Sequence, residues 1–330
     1  MIGLLTSSKT EVLRRAAVRA TLAPSVHNTQ PWKFVLGGDG LEIHADWSRQ
    51  LRALDPTGRQ LLISCGCALF NARVTLAAAG YEPLVERFPD PARSALVARV
   101  SVRDTQTVWP SIGALDAVIE LRQTNRRRYS EDDVPPEVVH NLIDAANSEH
   151  AQLFHVTEMA DRLITASLSQ QADRAQNSDP AYRAELRAWT SDDPRRRDGV
   201  PAMAVPHVDG GSEDDIPIRD FDTRGMGWLP TATRSSMRQC LLLLGTREDR
   251  EMDWLRAGEA LERLWLEATR LGYVASPLTQ VIEVVRTREI LRMELNLPMR
   301  PHMLLRIGRA PVTPASRRRR LVDVLSEPAN

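Results

Sequence analysis

The chain has 330 residues, with 43 Lys and Arg side chains against 43 Asp and Glu side chains, so its formal net charge at pH 7 is zero. A balanced charge excludes attraction of the whole protein to nucleic acid or to an anionic membrane by its net field. The length exceeds one typical core and fits two lobes packed together. Only Lys9 and Lys33 are lysines, a bias towards arginine that genomic base composition explains better than function.

The first part of the chain predicts a compact α+β lobe. It begins with a helical pattern, passes through a Pro-rich loop at 24–32, and continues with two strands joined by a Gly-rich hairpin turn. The triplet Asp55-Pro56-Thr57 is typical of a helix N-terminus. The predicted elements are helix 11–22, strands 33–36 and 41–45, a helix after residue 57, and strand 96–100.

A second lobe is predicted from about Ser111. Apolar residues recur at helical spacing over 112–119, and the pattern restarts over 138–143 after Pro135-Pro136, which favours a new helix start. A strand is predicted over 303–308. Between them, residues 190–226 are rich in Pro, Gly and Asp without sustained apolar periodicity, which indicates a lid or an ordinary surface insertion. We favour a lid because Met203, Val205, Ile216, Ile218 and Phe221 could dock it.

Two segments share one pattern of letters. Residues 66–81 and 258–273 both read G-x-A-L, then ten residues, then G-Y, without a gap. Both are apolar at helical intervals, and Gly80 and Gly272 stand where a helix C-terminus favours a left-handed residue. The match indicates an internal duplication, although two buried helices could share such a short pattern by chance.

Other patterns limit the kinds of site. Cys65, Cys67 and Cys240 are too few and too badly spaced for a disulfide framework, so we expect buried core residues. The seven histidines form no pattern with metal-site spacing, and we predict no metal site. The N-terminus lacks the pattern of a signal sequence and no long uninterrupted apolar run follows, so we expect a cytoplasmic protein.

Three separated places carry chemistry. In R-Q-T-N-R, the side chains of Arg122, Thr124 and Arg126 project to one side if the chain is extended, which suits a phosphate monoester; a solvated basic turn is the alternative. The run 317–320 could add a further Arg, or form a solvated basic tail. Neither run is interleaved with the aromatics that RNA binding requires, so we predict no nucleic-acid partner.

The third place is the loop 24–32. Asn28 and Gln30 carry amides that donate and accept hydrogen bonds along the edge of a planar heterocycle, and Pro24 and Pro31 would hold them rigidly. The alternative is a turn whose Asn and Gln satisfy local backbone groups.

Together the motifs A-P-S-V-H-N-T-Q-P-W at 23–32, R-Q-T-N-R at 122–126 and R-I-G-R at 306–309 resemble the nitroreductase fold. The resemblance is to the internally duplicated, mycobacterial Acg type and spans nearly the whole chain. In ordinary nitroreductases two subunits build two FMN sites, each with phosphate-binding Arg residues from one subunit and the Asn/Gln loop from the other. This chain has the loop only in its first part and R-x-T-x-R only in its second.

The resemblance implies two halves, 1–110 and 111–330, with one FMN between them, a lid at 190–226 and a predominantly monomeric protein. Asn28, Gln30 and Trp32 would address the isoalloxazine, Arg122, Thr124, Arg126 and Arg318 would hold the phosphate, and Ser276 would lie beside the reactive edge. The implied FMN-binding residues are His27, Asn28, Thr29, Gln30, Pro31, Trp32, Arg122, Thr124, Arg126, Ser276 and Arg318.

No catalytic acid or base is apparent, and hydride transfer to or from a flavin requires none from the protein. Lys33 could stabilise charge on a reduced flavin or be an outward strand residue. Three functions remain open. They are an FMN-binding protein that sequesters flavin or turns over weakly, an NAD(P)H-dependent nitroreductase acting on a nitroaromatic or quinone acceptor, and a non-flavin scaffold.

Overall fold

The computed structural model describes residues 9–37, 40–103, 110–201, 204–205, 216–221 and 239–327. The helices are α1 (Lys9–Ala20), α2 (Arg59–Ala78), α3 (Pro110–Gly113), α4 (Pro136–Asn147), α5 (Met159–Ser178), α6 (Pro180–Trp189), α7 (Glu251–Arg270), α8 (Gln280–Glu283) and α9 (Val285–Glu294). The strands are β1 (Trp32–Leu36), β2 (Gly40–Ala45), β3 (Glu82–Arg87), β4 (Leu96–Arg103), β5 (Gln152–His155), β6 (Cys240–Thr246), β7 (Val274–Pro277), β8 (Arg300–Gly308) and β9 (Leu325–Ser326).

Two sheets have the same connectivity. The first follows α1-β1-β2-α2-β3-β4 along the chain with strand order β3-β4-β2-β1. The second follows α4-β5-β6-α7-β7-β8 with order β7-β8-β6-β5, with α5 and α6 inserted between β5 and β6 and with α8 and α9 inserted between β7 and β8. All pairs among these strands are antiparallel. The mixed α+β architecture predicted from the sequence is therefore present.

The two helices that carry the shared letter pattern pack directly on each other. A Cβ added to Gly66 of α2 would lie 2.0 Å from the Leu255 carbonyl oxygen, and one added to Gly258 of α7 would lie 2.0 Å from the Ile63 carbonyl oxygen. The contacts are reciprocal, as at a two-fold interface. The helix backbones can approach this closely only because both positions are glycine.

The C-terminal end of the chain returns to the first sheet. Strand β9 adds to the edge of that sheet, parallel to β1, with Phe34 opposite Leu325 and Val35 opposite Ser326. Phe34 N donates to the Val324 carbonyl oxygen at 2.7 Å. This pairing brings the arginine run 317–320 beside the loop that precedes β1.

Most predicted elements are found, with two differences in detail. Helix α2 begins at Arg59, after Gly58 in the left-handed conformation. The Asp55 carboxylate, three residues before Gly58, accepts a hydrogen bond from Leu61 N at 2.9 Å and so stabilises the first turn of the helix. The pattern at 112–119 forms the short α3 and a 3₁₀ turn, Ala114–Val118. Residues 38–39 of the expected hairpin turn lie outside the described residues, while β1 and β2 pair as expected.

Helix α2 is the one described helix that is long and apolar enough to cross a membrane. In its 18-residue apolar window, 89% is buried inside the protein. It contains Cys65 and Cys67, both almost fully buried as expected, and it packs against α1 and α7. These contacts identify it as the central core helix.

Part of the predicted lid is described and is docked. We call residues 190–201, 204–205 and 216–221 the cap; residues 202–203, with Met203, 206–215 and 222–226 lie outside the described residues. Val200, Val205 and Phe221 are buried in a cluster with Tyr182 and Leu186 of α6. Ile216 and Ile218 pack on a second cluster beneath β6 and β8.

Candidate functional site

A cavity lies between the loop 24–32, α2, α7 and the cap. Its larger part, the main chamber, has both apolar and polar walls. A second part, the polar chamber, shares Pro24, Ser25, Thr124 and Arg126 with it. The main chamber is further lined by Val26, His27, Gln60, Ile63, Ser64, Cys67, Ile218, Arg219, Phe221, Leu261, Trp265, Pro277, Thr279 and Met303.

The polar chamber is lined by three arginines from two distant parts of the chain. Arg122, Arg126 and Arg318 face it together with Asn28 and Thr124. Burial, followed by the neighbouring Arg219, lowers the pKa of Arg126 to about 10. Burial, followed by Arg122, lowers the pKa of Arg318 to about 9. These groups remain cationic at pH 7 and repel one another, so the chamber favours an anion.

Local structure explains why the 122–126 segment faces the cavity. Thr124 forms an isolated parallel bridge with Ala275 beside β7, and Asn125 N donates to the Ala275 carbonyl oxygen at 3.0 Å. The backbone is therefore extended at this point, as the alternating pattern predicts. Arg122, Thr124 and Arg126 line the same chamber.

Arg122 and Arg318 donate hydrogen bonds to the same peptide carbonyl. Each donates from Nη2 to the Leu22 carbonyl oxygen at 3.1 Å, just beyond the C-terminus of α1. The Arg122 guanidinium also stacks over the Trp265 ring at 4.9 Å. These contacts hold the cations in place before any ligand arrives, which reduces the entropy lost on binding.

The loop 24–32 has a strained backbone. His27, Asn28 and Gln30 have φ values of 51°, 54° and 50°, a region that residues other than glycine rarely occupy. The Ser25 hydroxyl accepts from Gln30 N at 2.9 Å and ties the loop to itself. Such strain persists only where surrounding contacts over-determine the conformation.

The amides of Asn28 and Gln30 supply those contacts. Asn28 donates to the carbonyl oxygens of Gly199 and Arg317 and accepts from Arg318 Nη1 at 3.0 Å. Gln30 donates to the Arg197 carbonyl oxygen at 2.8 Å and accepts from Arg319 N at 2.7 Å. Both side chains join the loop to the cap and to the C-terminal run, and Asn28 also lines the polar chamber.

The remaining loop residues divide between core and cavity. Trp32 begins β1 and is fully buried in the core, Thr29 is buried, and the Pro31 carbonyl accepts from Asp46 N. Pro24, Ser25, Val26 and His27 of the loop line the main chamber. The resemblance implies that Thr29, Gln30, Pro31 and Trp32 contact FMN, but none of these four is among the residues that line either chamber.

Unpartnered polar atoms face the main chamber. Both ring nitrogens of His27, both amide atoms of Gln60 and the indole nitrogen of Trp265 are buried without a hydrogen-bond partner in the described part of the chain. Unpaired buried polar groups are costly, so they indicate a ligand or water. Burial, followed by Arg219 and Arg126, lowers the pKa of His27 well below its usual value, so its ring is neutral at pH 7 and can donate one hydrogen bond and accept another.

Ser276 and Lys33 lie outside the lining. Ser276 is in β7 opposite Arg306, with its hydroxyl buried and unpartnered, one residue before the lining residue Pro277. Lys33 is an exposed strand residue whose Nζ is 3.7 Å from Asp46 Oδ2. The outward interpretation of Lys33 therefore matches its position.

The cap closes one side of the main chamber. Arg219 is buried, donating to Glu283 at 2.6 Å, to the Tyr182 hydroxyl at 2.7 Å and to the Thr279 hydroxyl at 2.9 Å. Although burial disfavours the cation, Glu283 and Tyr182 raise the pKa of Arg219 above its usual value. Phe221 meets the His27 ring edge-on at 5.2 Å and lies 4.7 Å from the Arg126 guanidinium.

Sequence reasoning missed several lining residues. Gln60 and Trp265 lie within the long helices α2 and α7. The available signal was a polar or amphipathic side chain close to the repeated G-x-A-L letters. Arg219 and Thr279 gave no local signal, because they meet through a contact between residues far apart in the chain.

Comparison with known proteins was consistent with this architecture. The sequence model of the nitroreductase family matches residues 119–309. A candidate NAD(P)H nitroreductase of Mycobacterium tuberculosis is 34% identical over 323 residues, covering 96% of this chain and 92% of the relative. Acg, another candidate NAD(P)H nitroreductase of that organism, is 30% identical over 327 residues, with 96% and 95% covered.

Solved structures show weaker likeness. A nitroreductase with bound FMN from Bacteroides fragilis has 15% identity and a TM-score of 0.36, covering 61% of this chain and 92% of that chain. The FMN-dependent nitroreductase NfnB from Mycobacterium smegmatis, in complex with NADPH, has 16% identity and a TM-score of 0.35, with 60% and 87% covered. From the family match and the near full-length relatives, this chain belongs to the nitroreductase family, in its Acg-type group.

Proposed function

We propose that this protein binds one FMN, with the phosphate in the polar chamber and the isoalloxazine in the main chamber. The observation that carries the proposal is the convergence of Arg122, Arg126 and Arg318 on one buried chamber. Planar guanidinium groups bind phosphate oxygens bidentately, and a dianion would relieve the repulsion among them.

The groups present fit FMN at both ends. The Thr124 hydroxyl and Asn28 can complete the polar contacts to a phosphate, while His27, Gln60 and Trp265 offer unpartnered donors and acceptors to a planar heterocycle. The main chamber combines apolar walls with a few polar groups, as small-molecule sites usually do. When bound, FMN would supply the hydride chemistry that the protein's own side chains lack.

We further propose that the chain is an internal duplication with halves 1–110 and 111–330. The identical strand order of the two sheets and the reciprocal contacts at Gly66 and Gly258 support it. One chain then supplies both sides of the cavity, and we expect a monomer in solution. Light scattering that gives the mass of an obligate dimer would contradict this expectation.

The position of the cap favours flavin sequestration or weak turnover as the function, rather than rapid catalysis. Arg219 and Phe221 line the main chamber from the cap, and the buried pair of Arg219 with Glu283 holds that segment down. A nicotinamide must stack near the flavin to transfer hydride, so a closed cap would slow the transfer. The alternative is an NAD(P)H-dependent nitroreductase or flavin oxidoreductase whose cap opens for a nitroaromatic or quinone acceptor.

Anaerobic titration of the purified holo-protein with NADPH and NADH tests these alternatives. We expect the visible flavin absorbance to persist with either nucleotide and to bleach promptly with dithionite. Bleaching by a nicotinamide within seconds would establish the active reductase instead. Purified protein that neither carries FMN nor takes it up would refute flavin binding altogether.

A further inference from the structure

We propose that Glu262 couples phosphate binding in the polar chamber to the uptake of one proton, acting as a positioning residue through Arg122. The inference rests on the proposed binding of FMN. Glu262 lies on α7 behind the chamber and does not line it, so it would not touch the ligand. Its effect would pass through the arginine that the ligand and the carboxylate share.

The geometry around Glu262 is that of a buried ion pair with little additional support. Its side chain is fully buried, and Oε1 lies 3.3 Å from Arg122 Nε. Neither carboxylate oxygen nor Arg122 Nε makes a hydrogen bond of good geometry within the described residues, although the Asn71 side chain is close enough to lower the pKa of the carboxyl. The same arginine reaches Leu22 with its Nη2 atom and lines the chamber. Arg122 therefore lies between an internal carboxylate and the proposed place of an external anion.

Few charges act on this carboxylate from the surrounding elements. The cations are Arg122 and Arg318, while α2 contributes the neutral Asn71 and Cys67, whose pKa burial raises well above its usual value. On α7 itself, Glu259 is paired with Arg73 and Arg87. In the part of the chain that the structure describes, α4 and strands β6 to β8 place no charged group that acts on Glu262.

The pKa of the Glu262 carboxyl lies close to neutral pH. Burial raises its pKa to about 7, and Arg122 opposes the rise. A phosphate dianion adds negative charge nearby and draws on the same arginines, so the pKa in the complex must be higher than in the free protein. Between the two pKa values, binding takes up a proton, and affinity must fall as pH rises through that interval.

The experiment compares FMN dissociation constants from pH 5.5 to 9 for the wild type, Glu262→Gln and Glu267→Gln. Glu267 is the control because it lies on the same helix in an exposed pair with Arg270. For the wild type we expect binding to weaken about fivefold from pH 6.5 to 8.5, within the tenfold per pH unit that one proton allows. Below about pH 6 the phosphate itself gains a proton, so all three proteins should bind more weakly there.

Glu262→Gln should lose the weakening at alkaline pH and keep the acidic one, whereas Glu267→Gln should behave as the wild type. Riboflavin, which lacks the phosphate, should bind the wild type without this alkaline dependence. A Glu262→Gln protein that keeps the wild-type profile would overturn the proposal. If that variant does not fold, calorimetry of wild-type FMN binding in buffers of different ionisation enthalpy decides. We expect about 0.4 proton to be taken up per FMN near pH 7.5, which is the uptake that a fivefold change over two pH units implies.

Failure of this inference is distinct from failure of the proposed function. Tight FMN binding with no proton uptake, and with constant affinity above pH 6.5, would refute the coupling and leave flavin binding intact. Absence of FMN binding at every pH would overturn both.

Discussion

The connection between the first two strands of each sheet differs greatly between the two parts of the molecule. From β1 to β2 the chain passes through residues 37–39, whereas from β5 to β6 it passes through residues 156–239, which include α5, α6 and the cap. The sheets on either side have the same strand order. The shared scaffold thus tolerates an insertion at a strand connection without a change of topology.

The insertion and the chain termini make the cavity asymmetric. The cap contributes Arg219 and Phe221 to the cavity, and the C-terminal run contributes Arg318. The paired helices α2 and α7, in contrast, contribute to its floor from both sides. The symmetric elements therefore supply the core, and the unequal connections supply several of the charged and aromatic side chains that line the cavity.

The largest effect on stability is expected where helices α2 and α7 pack on each other, because the two parts of the molecule make reciprocal contacts there. Gly66→Ala and Gly258→Ala would each place a Cβ 2.0 Å from a backbone carbonyl oxygen of the facing helix. Because neither backbone can move without disturbing the core, we expect each to lower the free energy of unfolding by about 3 kcal/mol. Urea denaturation measures this loss.

Gly37→Ala is the matched control, since its added Cβ would meet nothing closer than 3.8 Å. It should change stability by less than about 0.5 kcal/mol. A marked difference between Gly66→Ala and Gly258→Ala would break the symmetry that we infer for the helix pair.

An intermediate effect is expected at the polar chamber, the proposed phosphate site, which is not symmetric. Arg122→Ala removes one buried cation from the polar chamber, and we expect FMN binding to weaken by about 1.5–3 kcal/mol, the range for a hydrogen bond to a charged group. Fluorescence quenching of FMN gives the dissociation constant. Arg103→Ala, at an exposed pair with Glu82 on the first sheet, should leave it unchanged, and equal affinities for both variants would exclude Arg122 from the site.

The smallest effect is expected from release of the cap. Arg219→Ala removes the pair with Glu283, and we expect anaerobic reduction of the bound flavin by NADPH to become about tenfold faster, or about 1.4 kcal/mol. Stopped-flow absorbance measures the rate. Because an unpaired buried carboxylate destabilises a protein, Arg219→Ala combined with Glu283→Gln should show the same acceleration in a more stable background.

Arg195→Ala is the control for cap release, as Arg195 is exposed in the same segment and pairs only locally with Asp193. Its reduction rate should equal that of the wild type. Unchanged rates in both Arg219 variants would mean that the Arg219–Glu283 pair does not limit access.

Prediction from sequence succeeded where the signal was local. The predicted strands at 33–36, 41–45 and 303–308 lie within β1, β2 and β8. Arg122, Thr124 and Arg126 line one chamber, but the intervening Gln123 lines it too, so the alternation is incomplete. Prediction was less complete for Asn28 and Gln30, whose amides contact the cap and the C-terminal run. Gln30 also donates locally to the Asn28 carbonyl oxygen, but the partners in the cap and the C-terminal run lie more than 160 residues away along the chain, so no local pattern could identify them.

The sequence by itself determined several of the helices and strands, the shared G-x-A-L pattern and the spacing of the R-x-T-x-R arginines, because periodicity and backbone preference act over a few residues. Only the tertiary structure decided that Arg318 lies beside Arg122, that Gln60 and His27 face one chamber, and that Glu262 lies buried behind an arginine. These arrangements depend on β9 joining the first sheet and on α2 packing against α7. Such contacts form between distant segments and set the burial on which the charges of the site depend.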